Sequence, residues 1–331
     1  MKSLSIIIPE YNEYDLLIDT VKSIQDTIDI EHYEIIIVHD GSDKTSDLSQ
    51  FKNIVEVFKK ERSGVGNSFD IGVSKAQYKN LAIMGADIRF RKNNWATKLI
   101  EYINRHPKHL ICPVNLGLNM TNKKDVNDEK LVKRYGAEIC LFLNKDDLPP
   151  KGSVMKRLAT DEAKDNYRNI FEAKWIPEEE EEEYDIPCVL GAFYGVNKDW
   201  YDYIKGFKHH KYWGTLEPYI SLKSWFAGGG CKLVKDIEIG HIYTRPNNQA
   251  TPDILIYNKL VVALLLFPRD KALIFINYLG DNPNVAKAKS DLLSVIDDIT
   301  KTRNYLEKIF ERDIHWFYQK FKFKHYDFLG K

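Results

Sequence analysis

Acidic side chains follow several apolar, strand-like segments, where they could bind a metal ion or a nucleotide. Asp40 comes soon after the segment Tyr33–Val38, and Asp87 follows the segment Asn80–Met84. A hard divalent cation that bridges two phosphates prefers oxygen ligands, so Asp87 is a candidate metal ligand. One aspartate cannot hold such an ion, so a second ligand must come from elsewhere in the chain. His241 is the candidate, although an isolated histidine is more often structural.

Three further turns could contact a nucleotide. The stretch Pro9–Glu13 ends a strand and opens a helix, so backbone N–H groups and an aromatic face are available there; a capped turn is the alternative. Asp40 could accept hydrogen bonds from a uracil or a ribose, but Asp-Gly-Ser is also common turn chemistry. The segment Arg62–Gly66 offers glycines for close backbone approach and an arginine suited to a diphosphate. It is not a Walker loop, because the Gly-Lys-Ser/Thr ending is missing.

Glu217 is the candidate for chemistry on the substrate itself. It lies in Trp213-Gly-Thr-Leu-Glu217-Pro, next to an aromatic residue and a glycine. A carboxylate in that setting could act as a general base on an acceptor hydroxyl. It could also act as a nucleophile in covalent sugar chemistry, or be a surface carboxylate with no chemical role.

The elements that must position these residues alternate between strand and helix. Ser3–Ile8 and Tyr33–Val38 are apolar runs suited to strands buried on both faces, and Asn53–Lys59 and Asn80–Met84 read as further strands. Helical spacing connects them, for example in Asn12–Ile28. This alternation predicts a parallel, doubly wound α/β sheet. Ligands bind at the carboxyl ends of the strands in such sheets, and the candidate residues fall at those ends.

The composition predicts an ordinary globular protein. Of 331 residues, 44% are hydrophobic and 29% are charged, and the formal net charge is zero. A nucleic-acid binder usually carries a basic excess, so this balance argues against such a partner. The four cysteines form no C-x-x-C pair, which is typical of reduced thiols in a cytosolic enzyme. The apolar runs are shorter than the roughly 20 residues that cross a bilayer, so we expect a soluble, cytoplasmic protein without a membrane span.

Four regions are predicted along the chain. Residues 1–118 contain the strand and helix alternation, and residues 119–185 are a polar insert that includes six consecutive glutamates, Glu178–Glu183. Those glutamates repel one another, so they form either a solvated loop or an acidic docking site. Apolar and aromatic residues return over 186–252, with a strand at Ile237–Tyr243. Residues 253–331 are mostly helical, with long helical periodicity over Asp291–Phe323.

Taken together, these pieces resemble a known enzyme family. The N-terminal motifs resemble glycosyltransferase family 2 in order and spacing: Ser5–Glu13, Glu34–Ser42, Arg62–Gly72 and Gly85–Asp87. The second half resembles the catalytic domain of polypeptide N-acetylgalactosaminyltransferases: Gly191–Trp200, Trp213–Gly229 and Ile239–Tyr243. The resemblance covers residues 3 to 265, with a poor match between 119 and 185. It implies the GT-A fold, a Rossmann-like, mostly parallel sheet flanked by helices, here followed by a helical C-terminal extension.

The resemblance also implies roles for particular residues. The donor-binding set is Pro9, Tyr11, Glu13, Asp40, Arg62, Gly64, Asp87, Trp213 and Arg245. Pro9, Tyr11 and Glu13 would line the uridine pocket, and Trp213 would border the sugar or the acceptor. Asp87 is the last residue of the metal motif, and His241 matches the histidine that completes the metal site. Asp87 and Glu217 are the predicted catalytic residues, with Mn²⁺ or Mg²⁺ as cofactor.

Three departures from the family pattern affect these predictions. The first acidic residue of the metal motif is Gly85 here, which puts metal dependence in question. Leu216 stands where the N-acetylgalactosaminyltransferases carry a glutamate, and Glu217 instead matches the catalytic aspartate of inverting family 2 enzymes. The two resemblances therefore disagree on retention or inversion. No paired cysteines follow Lys271, so no lectin domain is expected.

The sequence therefore predicts transfer of a sugar from a UDP-sugar to a hydroxyl of a glycan, a protein or a modified nucleic-acid base. The polar segment Thr244–Thr251 could close over the donor, with Arg245 reaching the diphosphate. One rival is a catalytically degenerate binding protein, which Gly85 favours. The other is action on nucleic acid, because Lys320–Tyr326 interleaves basic and aromatic residues. An amphipathic helix end with its Phe residues in the core is the favoured interpretation of that segment. The oligomeric state stays open.

Overall fold

The computed structural model describes residues 2–91, 94–118, 126–142, 148, 170–243 and 250–321. The first part of the chain alternates strands and helices in this order: β1 (Ser3–Glu10), α1 (Tyr14–Thr27), β2 (His32–Asp40), β3 (Ile54–Lys59), α2 (Val65–Lys75), β4 (Asn80–Met84), β5 (Ile88–Phe90), α3 (Trp95–Arg105) and β6 (His109–Leu118). The strands predicted from apolar runs are therefore present, each within a few residues of its expected bounds.

Shorter strands precede the second half, which then becomes helical. The middle elements are β7 (Lys133–Arg134), β8 (Ala137–Ile139), β9 (Ala173–Trp175), β10 (Glu183–Asp185), β11 (Phe193–Asn197), α4 (Lys198–Tyr203), α5 (Leu216–Phe226) and β12 (Gly230–Ile242). The C-terminal elements are α6 (Pro252–Leu266), α7 (Arg269–Leu279), α8 (Pro283–Leu293), α9 (Ile296–Ile309) and α10 (Ile314–Phe321). The predicted helical C-terminal region is confirmed.

The central sheet brings the candidate residues to one edge. Its strand order is β10-β12-β6-β11-β4-β1-β2-β3. β1, β2, β3 and β4 are parallel, and so are β6 and β12. β11 lies between β4 and β6 and is antiparallel to both, so the sheet is mixed. β4 and β6 therefore run in the same direction. The carboxyl ends of β1, β2, β4 and β12 therefore meet at the same edge.

β1, β2 and β4 are buried on both faces over most of their length, as their unbroken apolar runs predict, whereas the edge strand β3 is partly exposed. Ile7 belongs to one core cluster, while Ile6 and Ile8 belong to the cluster on the opposite face. The alternation follows from the two-residue period of a strand. Helices cover both faces of the sheet, with α2 on the face of Ile7 and α1 and α3 on the opposite face. The carboxyl edge of the sheet is left for the candidate residues.

The periodic segment Asp291–Phe323 is not one continuous helix. The chain leaves helical geometry between α9 and α10, where the carbonyl oxygen of Phe226 accepts hydrogen bonds from the N–H groups of Glu311 (2.7 Å) and Arg312 (3.0 Å). At the end of α10, Phe321 packs edge-on against Trp225, with ring centroids 5.2 Å apart. This contact favours the amphipathic helix end over a nucleic-acid surface; residues 322–326 lie outside the described part. No helix in the described ranges is long and apolar enough to span a bilayer.

Candidate active site

Asp87 and His241 face each other at the carboxyl edge of the sheet. The Oδ2 atom of Asp87 lies 3.3 Å from Nε2 of His241. β5 pairs with the end of β12, and the N–H of Ile242 donates to the carbonyl of Asp87 at 3.1 Å. Thr20 fixes the other side of this turn, because its hydroxyl donates to the carbonyl of Ala86 at 2.6 Å. Two segments about 150 residues apart are thereby held in contact.

Gly85 leaves the space that the Asp87 side chain occupies. A Cβ atom added at Gly85 would lie 2.6 Å from Oδ1 of Asp87, closer than real Cβ contacts. The backbone N–H of Gly85 donates to the carbonyl of Ala192 at 3.0 Å, which ties this position to the chain before β11. A larger residue at position 85 would therefore require the Asp87 carboxylate to move from its present position.

Glu13 is coupled electrostatically to the same pair. Burial, Asp87 and Glu10 raise the pKa of the Glu13 carboxyl to about 7, and His241 offsets part of this. Its N–H donates to Oε1 of Glu10 at 2.8 Å, which holds the residue at the start of α1. The sequence predicted Glu13 as part of a uridine pocket, whereas its charge interactions in the structure are with Asp87 and His241.

The donor set suits a divalent cation, with two ligands supplied by the chain. A carboxylate oxygen and an imidazole nitrogen are both ligands that Mn²⁺ accepts. Within the described ranges, no group of three or more His, Cys, Asp or Glu side chains converges to hold a metal. Asp87 and His241 would therefore need substrate oxygens or water to complete the coordination. Nδ1 of His241 is buried and has no hydrogen-bond partner among the described residues.

Asp40 holds a loop in place at the end of β2. Its Oδ1 accepts a hydrogen bond from the N–H of Ser63 at 2.8 Å, and its Oδ2 accepts one from the N–H of Gly64 at 2.6 Å. Lys59 forms an ion pair with the same buried carboxylate. In the structure Asp40 therefore fixes the Arg62–Gly64 loop. The sequence analysis had predicted a different role for Asp40, either as a turn residue or as a contact to a uracil or a ribose.

The loop that Asp40 fixes presents Arg62 between two tyrosines. The guanidinium lies 4.1 Å from the ring centroid of Tyr11 and 5.3 Å from that of Tyr212. Its Nε atom is buried and makes no hydrogen bond to any residue that the structure describes. Gly64 has φ +92°, and a Cβ there would overlap the backbone of Tyr212 at 1.9 Å, so only glycine permits this approach. Tyr212 is a neighbour that sequence reasoning missed, although it precedes the singled-out Trp213.

Glu217 lies in the first turn of α5 and is not a surface carboxylate. A Cβ at Gly191 would lie 2.1 Å from its Oε1, so the carboxylate packs against that glycine. Burial raises the pKa of Glu217, Glu172 adds to the rise and His241 opposes it. A carboxyl with a raised pKa can take up a proton at a pH closer to neutral than an ordinary one.

Trp213 is exposed, but a helix of the C-terminal region holds its backbone. The buried Asn258 of α6 accepts from the N–H of Lys211 at 2.9 Å and donates to the carbonyls of Lys211 and Trp213 at 2.8 and 3.1 Å. Sequence reasoning missed Asn258, because a single asparagine in an apolar helix carries no motif. Its position next to Lys259, within the long apolar run of α6, is the signal that could have identified it.

A buried network beneath the site was also missed. Glu10 accepts a hydrogen bond from the Ser42 hydroxyl at 2.8 Å and pairs with Nδ1 of His39 at 2.9 Å. Burial opposes protonation of His39, but its hydrogen bonds with Glu10 and Glu56 outweigh that effect and raise its pKa. A charged residue at the end of an apolar strand was the available signal. Pro9, a predicted donor contact, is buried within β1 opposite Val38.

Part of the predicted site lies outside the described residues. Arg245 is one such residue, and so is most of the proposed closing segment Thr244–Thr251. Among the described candidates, the structure brings Asp87 and His241 into contact, and Glu13 lies close enough to interact electrostatically with both. It also brings Tyr11 and Arg62 together, beside the loop that Asp40 fixes.

Comparisons with known proteins agree with these features. Residues 5–164 match the family model described as "Glycosyl transferase family 2". Human polypeptide N-acetylgalactosaminyltransferase 14 is 22% identical to this chain over 255 residues, covering 75% of this chain and 42% of the human protein. The chain therefore spans less than half the length of that relative.

Solved structures share the fold. A crystal structure of GalNAc-T7 with UDP, GalNAc and Mn²⁺ superposes with a TM-score of 0.68 at 17% identity, covering 97% of this chain and 57% of that one. The structure of S. aureus TarS superposes with a TM-score of 0.50 at 12% identity, covering 84% of this chain and 43% of that one. The first likeness includes the helical C-terminal region, because it extends over nearly the whole chain.

Proposed function

We propose that this chain, a glycosyltransferase with the GT-A fold and a glycosyl transferase family 2 match over residues 5–164, transfers a sugar from a UDP-sugar to a hydroxyl acceptor with the help of a divalent metal ion. The GT-A fold predicted from the sequence is confirmed. The observation that carries the proposal is the 3.3 Å approach of Asp87 to His241 at the carboxyl ends of the strands. Neither side chain has another described role that would explain their pairing.

Asp87 and His241 would hold the metal ion, and Glu13 would add negative charge beside them. When bound, a Mn²⁺ or Mg²⁺ ion supplies positive charge that stabilises the departing diphosphate. Arg62 would bind the nucleotide, because its stacked guanidinium is held in place and its Nε donor is unused. A rigidly held, delocalised cation suits phosphate oxygens, which it can contact with several N–H groups.

Glu217 would act as the general base that accepts the proton of the acceptor hydroxyl. Its raised pKa supports this role, because a base poised nearer neutral pH transfers protons more effectively. The same carboxylate could instead displace UDP from the anomeric carbon to form a glycosyl-enzyme ester. The acceptor hydroxyl would then displace the carboxylate, and the two inversions together would retain the configuration. The anomeric configuration of the product, read by proton NMR, separates these two mechanisms.

Thermal unfolding against a nucleotide panel, with and without Mn²⁺, tests the donor site. Ligands that bind the native state raise its apparent stability, so UDP should raise the Tm and Mn²⁺ should increase that rise. Asp87→Ala should remove the Mn²⁺-dependent part and abolish turnover of UDP-sugars, while the fold stays intact. Asp199→Ala is a matched control, because Asp199 pairs with Lys79 on the exposed surface.

Each other outcome has a defined meaning. A UDP effect that persists in Asp87→Ala, with full activity, would overturn the metal assignment. No shift with any nucleotide in either condition, and no hydrolysis of any UDP-sugar, would favour the catalytically degenerate binding protein.

A further inference from the structure

Two exposed aromatic side chains extend outward from the Asp87 and His241 pair. Tyr243 follows β12, two residues after His241, and the two rings are 4.3 Å apart. Trp175 ends β9 and meets Tyr243 edge to face at 5.9 Å. We call Trp175, Tyr243 and the neighbouring Arg134 the aromatic platform. It is continuous with the candidate active site, because each ring touches the next.

The platform is unusually open for such large apolar groups. Trp175 is 49% exposed and Tyr243 is 39% exposed. Large aromatic rings gain most from burial, at roughly 25 cal/mol for each Å² removed from water. An exposed pair of rings beside an active site therefore favours a ligand that covers them.

Arg134 makes the platform chemically specific. Its guanidinium lies 3.9 Å from the ring centroid of Trp175, and its buried Nε atom has no hydrogen-bond partner within the described part of the chain. One described bond, from NH1 to the carbonyl of Lys133 at 3.4 Å, uses little of its donor capacity. The platform therefore offers aromatic faces and unused N–H donors side by side.

We propose that the aromatic platform binds the acceptor, and that the acceptor is a saccharide; this inference rests on the glycosyltransferase function proposed above. One face of a pyranose ring presents C–H groups, which pack on the electron-rich face of an aromatic ring. Its rim presents hydroxyls, whose oxygens can accept hydrogen bonds from guanidinium N–H groups of Arg134 that make no bond to the described residues.

The platform carries few of the cations that a nucleic acid requires. Polyanion binding depends on several Lys and Arg contacts, and among the described residues that form the platform Arg134 is the one cation. A neutral sugar needs no such set of cations.

Saturation-transfer NMR tests the proposal with a panel of methyl glycosides, in the presence of UDP and Mn²⁺. The panel contains methyl α- and β-glucosides, galactosides and N-acetylhexosaminides. At least one glycoside should receive saturation at its ring C–H protons. Trp175→Ala should weaken its binding at least tenfold, and Tyr243→Ala should weaken it as well. Tyr203→Ala is the matched control, because Tyr203 is 40% exposed on α4 and lies outside the site.

The same samples separate this inference from the proposed function. The Tm shift caused by UDP and Mn²⁺ should be unchanged in Trp175→Ala, which would show that the donor site is intact. Absence of glycoside binding while that shift persists would overturn the platform and leave the donor site standing. Glycoside binding that survives Trp175→Ala, or preferential binding of a Ser/Thr peptide or an oligodeoxynucleotide to the platform, would also overturn it. If UDP and Mn²⁺ do not raise the Tm of the unaltered chain, the proposed function itself would be overturned.

Discussion

Replacing Gly85 by alanine should weaken metal binding although glycine has no side chain to offer. The added Cβ would lie 2.6 Å from Oδ1 of Asp87, whereas ordinary non-bonded contacts are about 3.5 Å. The carboxylate must therefore rotate away by about 1 Å, which disturbs its approach to His241. Changes that misorient a metal ligand typically reduce affinity about 10- to 100-fold, or about 1.4 to 2.7 kcal/mol.

Isothermal titration of Mn²⁺ into the UDP-bound protein measures this loss directly. Gly117→Ala is the matched control, because a Cβ there meets only ordinary contacts, the nearest being 3.5 Å from the carbonyl oxygen of Val132. Gly85→Asp restores the first acidic residue of the metal motif. We nevertheless expect no gain in Mn²⁺ affinity, because the Cβ atom of the new aspartate also displaces the Asp87 carboxylate. Mn²⁺ binding to Gly85→Ala as tight as to the unaltered chain would refute this steric argument.

Three further predictions concern chemistry, positioning and pH. Glu217→Gln should lower kcat at least 100-fold with little change in the Tm shift caused by UDP, because it removes the proton acceptor and leaves the donor contacts; an unchanged kcat would exclude a role as base or nucleophile. Asn258→Ala should lower the free energy of unfolding by about 3 kcal/mol, because it strips hydrogen bonds from buried backbone groups at Lys211 and Trp213; urea denaturation measures this, and a loss below 1 kcal/mol would contradict it. Burial lowers the pKa of His210 to about 4, so the unfolded chain binds the extra proton between about pH 6.5 and 4 and stability falls as the pH drops through that window, by up to about 3 kcal/mol. His210→Gln should flatten this part of the stability curve, and an unaltered slope would argue against the lowered pKa.

The sequence predicted those parts of the fold that local patterns determine. The strands β1, β2 and β4 are runs of apolar and β-branched residues between turn residues, and such runs are recognisable without any long-range information. The strand β11 was not assigned, and its antiparallel direction depends on pairing with β4 and β6, which a one-dimensional pattern does not contain. The break between α9 and α10 was missed because Phe310 and Ile314 continue the apolar spacing across it, with no glycine or proline to mark the end.

The candidate site was predictable where single motifs carry it and unpredictable where distant segments meet. Asp87 and His241 were identified from their motifs, and the structure brings them together. The aromatic platform joins β9 to the residue that follows β12. Tyr243 ends the recognised motif Ile239–Tyr243, but nothing in the sequence near Trp175 marks it as the neighbour of Tyr243. Asp40 was identified as important, but its partner groups are backbone N–H groups, which have no sequence signature.

The Arg62–Gly64 loop is ordered before any donor arrives, because Asp40 binds two of its N–H groups and Gly64 packs on Tyr212. Fixing a residue costs about 1 to 2 kcal/mol of conformational entropy, and here that cost falls on folding rather than on binding. The nucleotide should therefore bind to a loop that is already in its bound conformation, and no binding free energy is lost to ordering the loop. Substitutions that loosen this loop would then lower the amount of folded protein more than they alter which nucleotide binds. Discrimination among sugars would depend on the other end of the site, where Asp87 and His241 lie.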